Sequence, residues 1–126
     1  MNDLTILLTG TLLTLLALSI TRGAEAQPPA RMQVSEIKPL LIRAIDQGSA
    51  QGVLVGVAAA YTQRKFGSTA AIEIDVRRLQ ALPKPGCARL EVTTHQKDVV
   101  ERGQKDDKEL IYQVSYCRDG SFPDKR

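Results

Sequence analysis

The chain has 126 residues, with 17 Lys and Arg against 14 Asp and Glu and a formal net charge of +3. That length has room for one domain. Trp is absent and other aromatics are few, which argues against stacking platforms for bases or sugars. Basic residues alternate with acids, as in Glu73-x-Asp75-x-Arg77 and Lys105-Asp106-Asp107-Lys108-Glu109, so the charge reads as solvated surface and no nucleic acid is expected as a partner.

Leu4 to Ile20 carries no charge and leads to Ala24-Glu25-Ala26. An apolar run ending in a small-x-small site reads as a secretory signal peptide spanning 1–26. Met1-Asn2-Asp3 lacks the Lys or Arg usual ahead of such a run. The alternative is an uncleaved anchor at the short limit for a membrane span, the one way in which a membrane would be contacted. Either reading exports the rest of the chain. Residues 27–34, with Pro28 and Pro29, are expected to be a flexible leader.

Ser35 opens a helix signal: Ile37, Leu40, Leu41, Ala44 and Ile45 recur with helical spacing and make one apolar stripe. Pro39 fits its first turn and Gly48 closes it. A second helix is expected to start at Ser49 and run through Gly52 to Lys65, stopping near Gly67. It is apolar nearly all round from Gly52 to Tyr61, so it reads as the buried helix. Gly52, Gly56 and Ala60 lie four apart and give it a smooth side for close packing.

Ile72, Ile74 and Val76 alternate with Glu73, Asp75 and Arg77, a half-buried strand. Gln80 to Gly86 holds two prolines and a glycine, a turn. Ala88 to His95 and Glu109 to Tyr116 are each bounded by one of the two cysteines, Cys87 and Cys117. Paired antiparallel with the cysteines opposite, these segments put Ala88, Leu90, Val92 and Thr94 beside Tyr116, Val114, Tyr112 and Leu110 on one face. Arg89, Glu91 and His95 fall with Ser115, Gln113 and Glu109 on the other. A slip of one residue would turn one apolar set away from its partner. The turn falls at Glu101-Arg102-Gly103, with Gly103 left-handed. In an oxidising compartment the cysteines are expected to form a disulfide, contributing about 3–4 kcal/mol on the chain-entropy model. Neither sits in a C-x-x-C spacing that would favour a reactive thiol.

The expected fold is α+β: within one domain at 35–120, two helices pack on a three-stranded antiparallel β-meander, the Gly52–Lys65 helix covering its apolar face. Residues 121–126 form a polar tail. Chemistry is thinly supplied. His95 would pair with Glu109 as surface charges, and one His with two bridged cysteines cannot supply a metal site. No phosphate loop or nucleophile elbow is present. No cofactor and no enzymatic activity are expected.

Gly52-x-Leu54-x-Gly56, Phe66-Gly67-Ser68, Ile72-x-Ile74-Asp75-Val76, Gly86-Cys87-x-Arg89-Leu90-x-Val92 and Tyr116-Cys117-x-Asp119-Gly120 together resemble a pattern in small exported proteins. These are encoded on conjugative plasmids and integrative elements beside conjugation genes, and their activities are unassigned. The resemblance spans roughly 52–120 and implies a periplasmic accessory part of a conjugation or type IV secretion apparatus. It carries no catalytic residues. The expected function is therefore an exported, periplasmic or secreted, non-enzymatic protein that binds an envelope protein. Its candidate surfaces are Val99, Val100, Arg102, Lys105 and Lys108 on the hairpin loop, and Arg89 and Glu91 on the outer sheet face. The strands Ile72–Arg77 and Leu110–Tyr116, read as edges, could accept an added strand. The alternatives are an inner-membrane-anchored subunit of an envelope complex and a periplasmic enzyme or enzyme inhibitor.

Overall fold

A computed structural model describes residues 30–123; the expected signal segment and the last residues of the tail lie outside them. The elements in chain order are β1 (Met32–Val34), α1 (Lys38–Gln47), β2 (Ser49–Leu54), α2 (Gly56–Phe66), β3 (Ile72–Ala81), β4 (Cys87–Glu101) and β5 (Gln104–Cys117). They form one five-stranded sheet in the order β1-β2-β3-β4-β5. β1 and β2 run parallel across the α1 crossover, and the remaining neighbours are antiparallel.

This corrects the expected three-stranded antiparallel meander to a five-stranded mixed sheet. Ser49 starts a strand rather than a helix. Along β2, Ala50 and Gly52 are buried while Ser49 and Gln51 are exposed, an alternation of period two. Because the inward residues are small, that alternation carries little hydropathy contrast. Gly52 is inward because Leu40 of α1 sits on it: a Cβ there would lie 2.6 Å from one Leu40 methyl. β1 falls within the stretch read as leader; Val34 is buried and its carbonyl accepts the Val55 amide at 2.8 Å.

The core lies between α1 and the sheet. Leu40, Leu41, Ala44 and Ile45 pack with Ala50, Ile74, Val76, Ala88, Leu90, Val92 and Tyr116. The apolar stripe expected for the first helix is thus the one that covers the sheet. The last turn of α1 contains no basic residue, and β3 supplies the charge instead. The Arg78 guanidinium donates to the Ile45 carbonyl at 2.6 Å, and the Arg78 amide donates to the Gly48 carbonyl at 2.9 Å. A cation there suits the negative end of the helix dipole.

α2 plays a different part from the one its composition suggests. Ala59 is its one buried residue, and Val57 and Tyr61 are 86% and 58% exposed. Its apolar run therefore does not mark the buried helix. The segment after it holds α2 in place: the Ser68 hydroxyl donates to the Lys97 carbonyl at 2.6 Å, and the Gln96 amide reaches the Ser68 and Ala70 carbonyls.

The hairpin register is as expected from Cys87↔Cys117 through Gln96↔Lys108. The cysteines are bonded, both buried, with Cα atoms 3.9 Å apart. Beyond Gln96 a bulge shifts the pairing, so that Val99 meets Asp106 and Glu101 meets Gln104. Asp98 (φ +55) turns left-handed there. The turn contracts to Arg102-Gly103, both with positive φ, the geometry that suits a two-residue hairpin loop. The tail packs back at its start: Phe122 meets Tyr116 edge to face at 5.3 Å.

Candidate functional site

Among the described residues β5 is a long free edge. The opposite edge, β1, has 3 residues against 14 in β5, so β5 exposes most of the sheet's unpaired backbone. β3 is interior, paired on both sides by β2 and β4, which removes Ile72–Arg77 as a candidate edge.

Which β5 groups face outward is set by the bridge. Cys87 bonds toward β3 and the adjoining turn: its carbonyl accepts from Leu82 and its amide donates to Lys84. The Cys87–Cys117 couple is therefore a pair without ladder bonds to each other, and antiparallel alternation then sets the rest of the strand. Tyr116, Val114, Tyr112 and Leu110 bond inward to β4. Ser115, Gln113, Ile111 and Glu109 turn their N–H and C=O groups to the open edge. The edge closes at Cys117, whose amide donates to the Ser121 carbonyl at 2.9 Å.

The two halves of β5 differ in character. Gln104 to Glu109 is polar and mostly charged, the usual protection of a free edge. Leu110, Ile111 and Tyr112 come next with no charge among them and are 61%, 55% and 40% exposed. The apolar face expected for the hairpin is core only at its cysteine end. α1 covers Ala88, Leu90, Val92 and Tyr116 but stops short of Leu110 and Tyr112. Partial burial raises the Tyr112 phenol above its ordinary value of 10.0 by desolvation.

Between α2 and this end of the sheet runs an apolar cleft of about 160 Å³, lined by Thr62, Phe66, Ile72, Thr94, Val99 and Leu110 among others. Lys108 stands at its mouth with its ammonium 2.6 Å from Glu101. That hydrogen bond, and then the Glu101 charge, hold the Lys108 pKa above its ordinary value.

The residues singled out in the sequence fall at separate places. Val99 is buried at 2% exposure and belongs to the cleft floor. Without the bulge it would face the other side of the sheet, as His95 does; the inserted residue reverses its side. Val100 packs beside Gly67, whose Cβ would approach it to 3.3 Å. Arg102 occupies the turn and Lys105 lies opposite Val100 on the exposed tip. Arg89 and Glu91 lie on the open face of the sheet, away from the helices. Arg89 donates to Gln113 and Ser115, and Glu91 pairs with Arg77 at 2.9 Å. The sequence reading named Leu110–Tyr116 as an edge, as β5 is, but placed the Leu110 and Tyr112 side chains on the core face, and it did not single out Thr62 or Phe66. One signal existed, since Ile111 breaks the polar alternation of its face.

Among the described residues no group of three or more His, Cys, Asp or Glu is placed to hold a metal ion. No described helix is long and apolar enough to cross a membrane. No protein-family model, curated protein or solved structure matches the chain. The buried bridge itself points to an oxidising, non-cytoplasmic compartment.

Proposed function

We propose that this chain is an exported, non-enzymatic protein-binding domain that takes an extended segment of another polypeptide onto β5. The observation that carries the reading is the apolar, uncovered stretch Leu110–Tyr112 on a free edge, continuous with a cleft beside it. Main-chain bonds to Glu109, Ile111 and Gln113 would supply affinity in strand addition. Side chains entering the cleft would supply selectivity. Export to the periplasm agrees with the N-terminal apolar run and with the bridge. In the setting that the resemblance implies, the partner is a protein of a conjugation or type IV secretion apparatus.

Photocrosslinking in the intact envelope tests this. A photoreactive residue replacing Tyr112 is expected to give a discrete polypeptide adduct, and one replacing Glu91 on the open face is expected to give far less. Adducts favouring Glu91, or no polypeptide adduct from either position, would overturn it.

A further inference from the structure

We infer that the strand taken up by β5 is β5 of a second copy, giving a continuous ten-stranded sheet across a two-fold axis through Ile111. The inference rests on the docking reading above and specifies its occupant.

The symmetry of the edge restricts how two copies can meet. Two antiparallel copies related by an axis perpendicular to the sheet keep their helix faces on the same side. Residues opposite each other must then come from the same face, which limits the register to axes through a residue. Outward-facing amides must meet outward-facing carbonyls, and Ile111 and its alternate neighbours carry both.

Charge removes the axes in the half of β5 nearest the hairpin turn and leaves those in the apolar stretch Leu110–Tyr112. An axis through Asp107, Lys108 or Glu109 sets that residue against its own copy, like charge on like charge. An axis through Ile111 sets Glu109 against Gln113, Lys108 against Val114, Asp107 against Ser115 and Asp106 against Tyr116. No charged side chain then faces another. The same axis brings Leu110 of each copy against Tyr112 of the other, so the residues that α1 leaves bare cover one another next to the cleft. Ile111 meets Ile111 on the open face.

The ends of the pairing agree with this centre. The Cys117 amide is already occupied by the Ser121 carbonyl, and the Asp107 amide by the Asp106 carboxylate at 2.9 Å. With an axis through Ile111, the fully bonded part of the pairing runs from Glu109 to Gln113, with Ile111 at its centre. An external strand could use the same amides, but a second copy brings the complement with it: its apolar trio meets an apolar trio, and its charged half, Gln104–Glu109, meets the uncharged Gln113–Cys117.

Sedimentation equilibrium of the exported chain tests the pairing, with single-cysteine crosslinking to fix its register. The chain is expected to be a dimer that dissociates on dilution. Ile111→Lys, which places two ammonium groups on the axis, should be monomeric with unchanged circular dichroism. Ile111→Pro should act likewise, because the Ile111 N–H serves no bond to β4 and its loss spares the hairpin. Facing residues of a bonded pair lie within disulfide reach, so Ile111→Cys is expected to give a covalent dimer on mild oxidation and Gln113→Cys is not. A chain that is monomeric at every concentration, or a dimer unaffected by both Ile111 variants, would overturn the self-pairing. Covalent dimer formed equally from Gln113→Cys would overturn the register. If the chain is monomeric while the Tyr112 photocrosslink still captures a different polypeptide, the docking reading stands and only its occupant is wrong.

Discussion

Gly52 of β2 lies directly beneath Leu40 of α1, so that a Cβ on Gly52 would meet both Leu40 methyls, at 2.6 and 2.8 Å, and the Met32 carbonyl oxygen at 3.1 Å. Leu40 is fully buried, and the backbone of β1 prevents the strand from shifting aside. Gly52→Ala is therefore expected to lower stability by about 1–3 kcal/mol through overpacking, read as a fall in urea midpoint at constant slope. An unchanged midpoint would mean that α1 rides higher on the sheet than this close approach implies.

The bridge closes the hairpin at the end opposite its turn. It restrains a loop with a sequence separation of 30, so replacing both cysteines by Ser should cost roughly 3–4 kcal/mol on the chain-entropy model. Denaturation with and without reductant gives the same comparison without mutation. Insensitivity to reductant, with two free thiols counted in the exported protein, would refute the clamp.

Arg78 reaches across from β3 to the last turn of α1. Removing its guanidinium with Arg78→Ala should destabilise by about 1 kcal/mol, the scale of one hydrogen bond and one charge at a helix end. Arg78→Lys should recover part of the loss. Hydrogen exchange of the α1 amides locates the effect; a loss spread evenly over the sheet would contradict the capping role.

Asp119 shapes the turn that closes the β5 edge. Its carboxylate accepts from the Ser121 hydroxyl at 2.6 Å and from the Ser121 amide at 2.9 Å, and these bonds hold its pKa below the ordinary 3.8. A lowered folded value means that the stabilisation is present above the unfolded value and is lost as pH falls through the folded one. NMR titration should place the Asp119 midpoint below the usual carboxylate range and move it upward in Ser121→Ala. No movement in that variant would dissociate the turn from the carboxylate.

The hairpin register was legible because two features agreed on it, the cysteine positions and the alternation from Ala88 to Thr94. It failed past Gln96 because a bulge at Asp98 reverses the sides of the residues beyond it, and an aspartate in a charged loop gives no warning of that. β2 was hidden by Ala50 and Gly52, inward residues too small to register as hydrophobic. α2 misled in the opposite sense: Val57, Ala58, Ala60 and Tyr61 are apolar or aromatic yet exposed, since α1 already occupies the sheet area that a second buried helix would need. The candidate site inherits that error, because Leu110 and Tyr112 count as core only when the second helix lies over them.

Amide exchange along β5 tests most directly whether this edge is occupied by another strand. In concentrated protein, Ile111 and Gln113, whose amides point away from β4, are predicted to exchange slowly, nearly matching Leu110 and Tyr112, and to speed up on dilution or in Ile111→Lys. Exchange of Ile111 and Gln113 as fast as that of the turn residue Gly103 at every concentration, with Leu110 and Tyr112 still protected, would contradict the account.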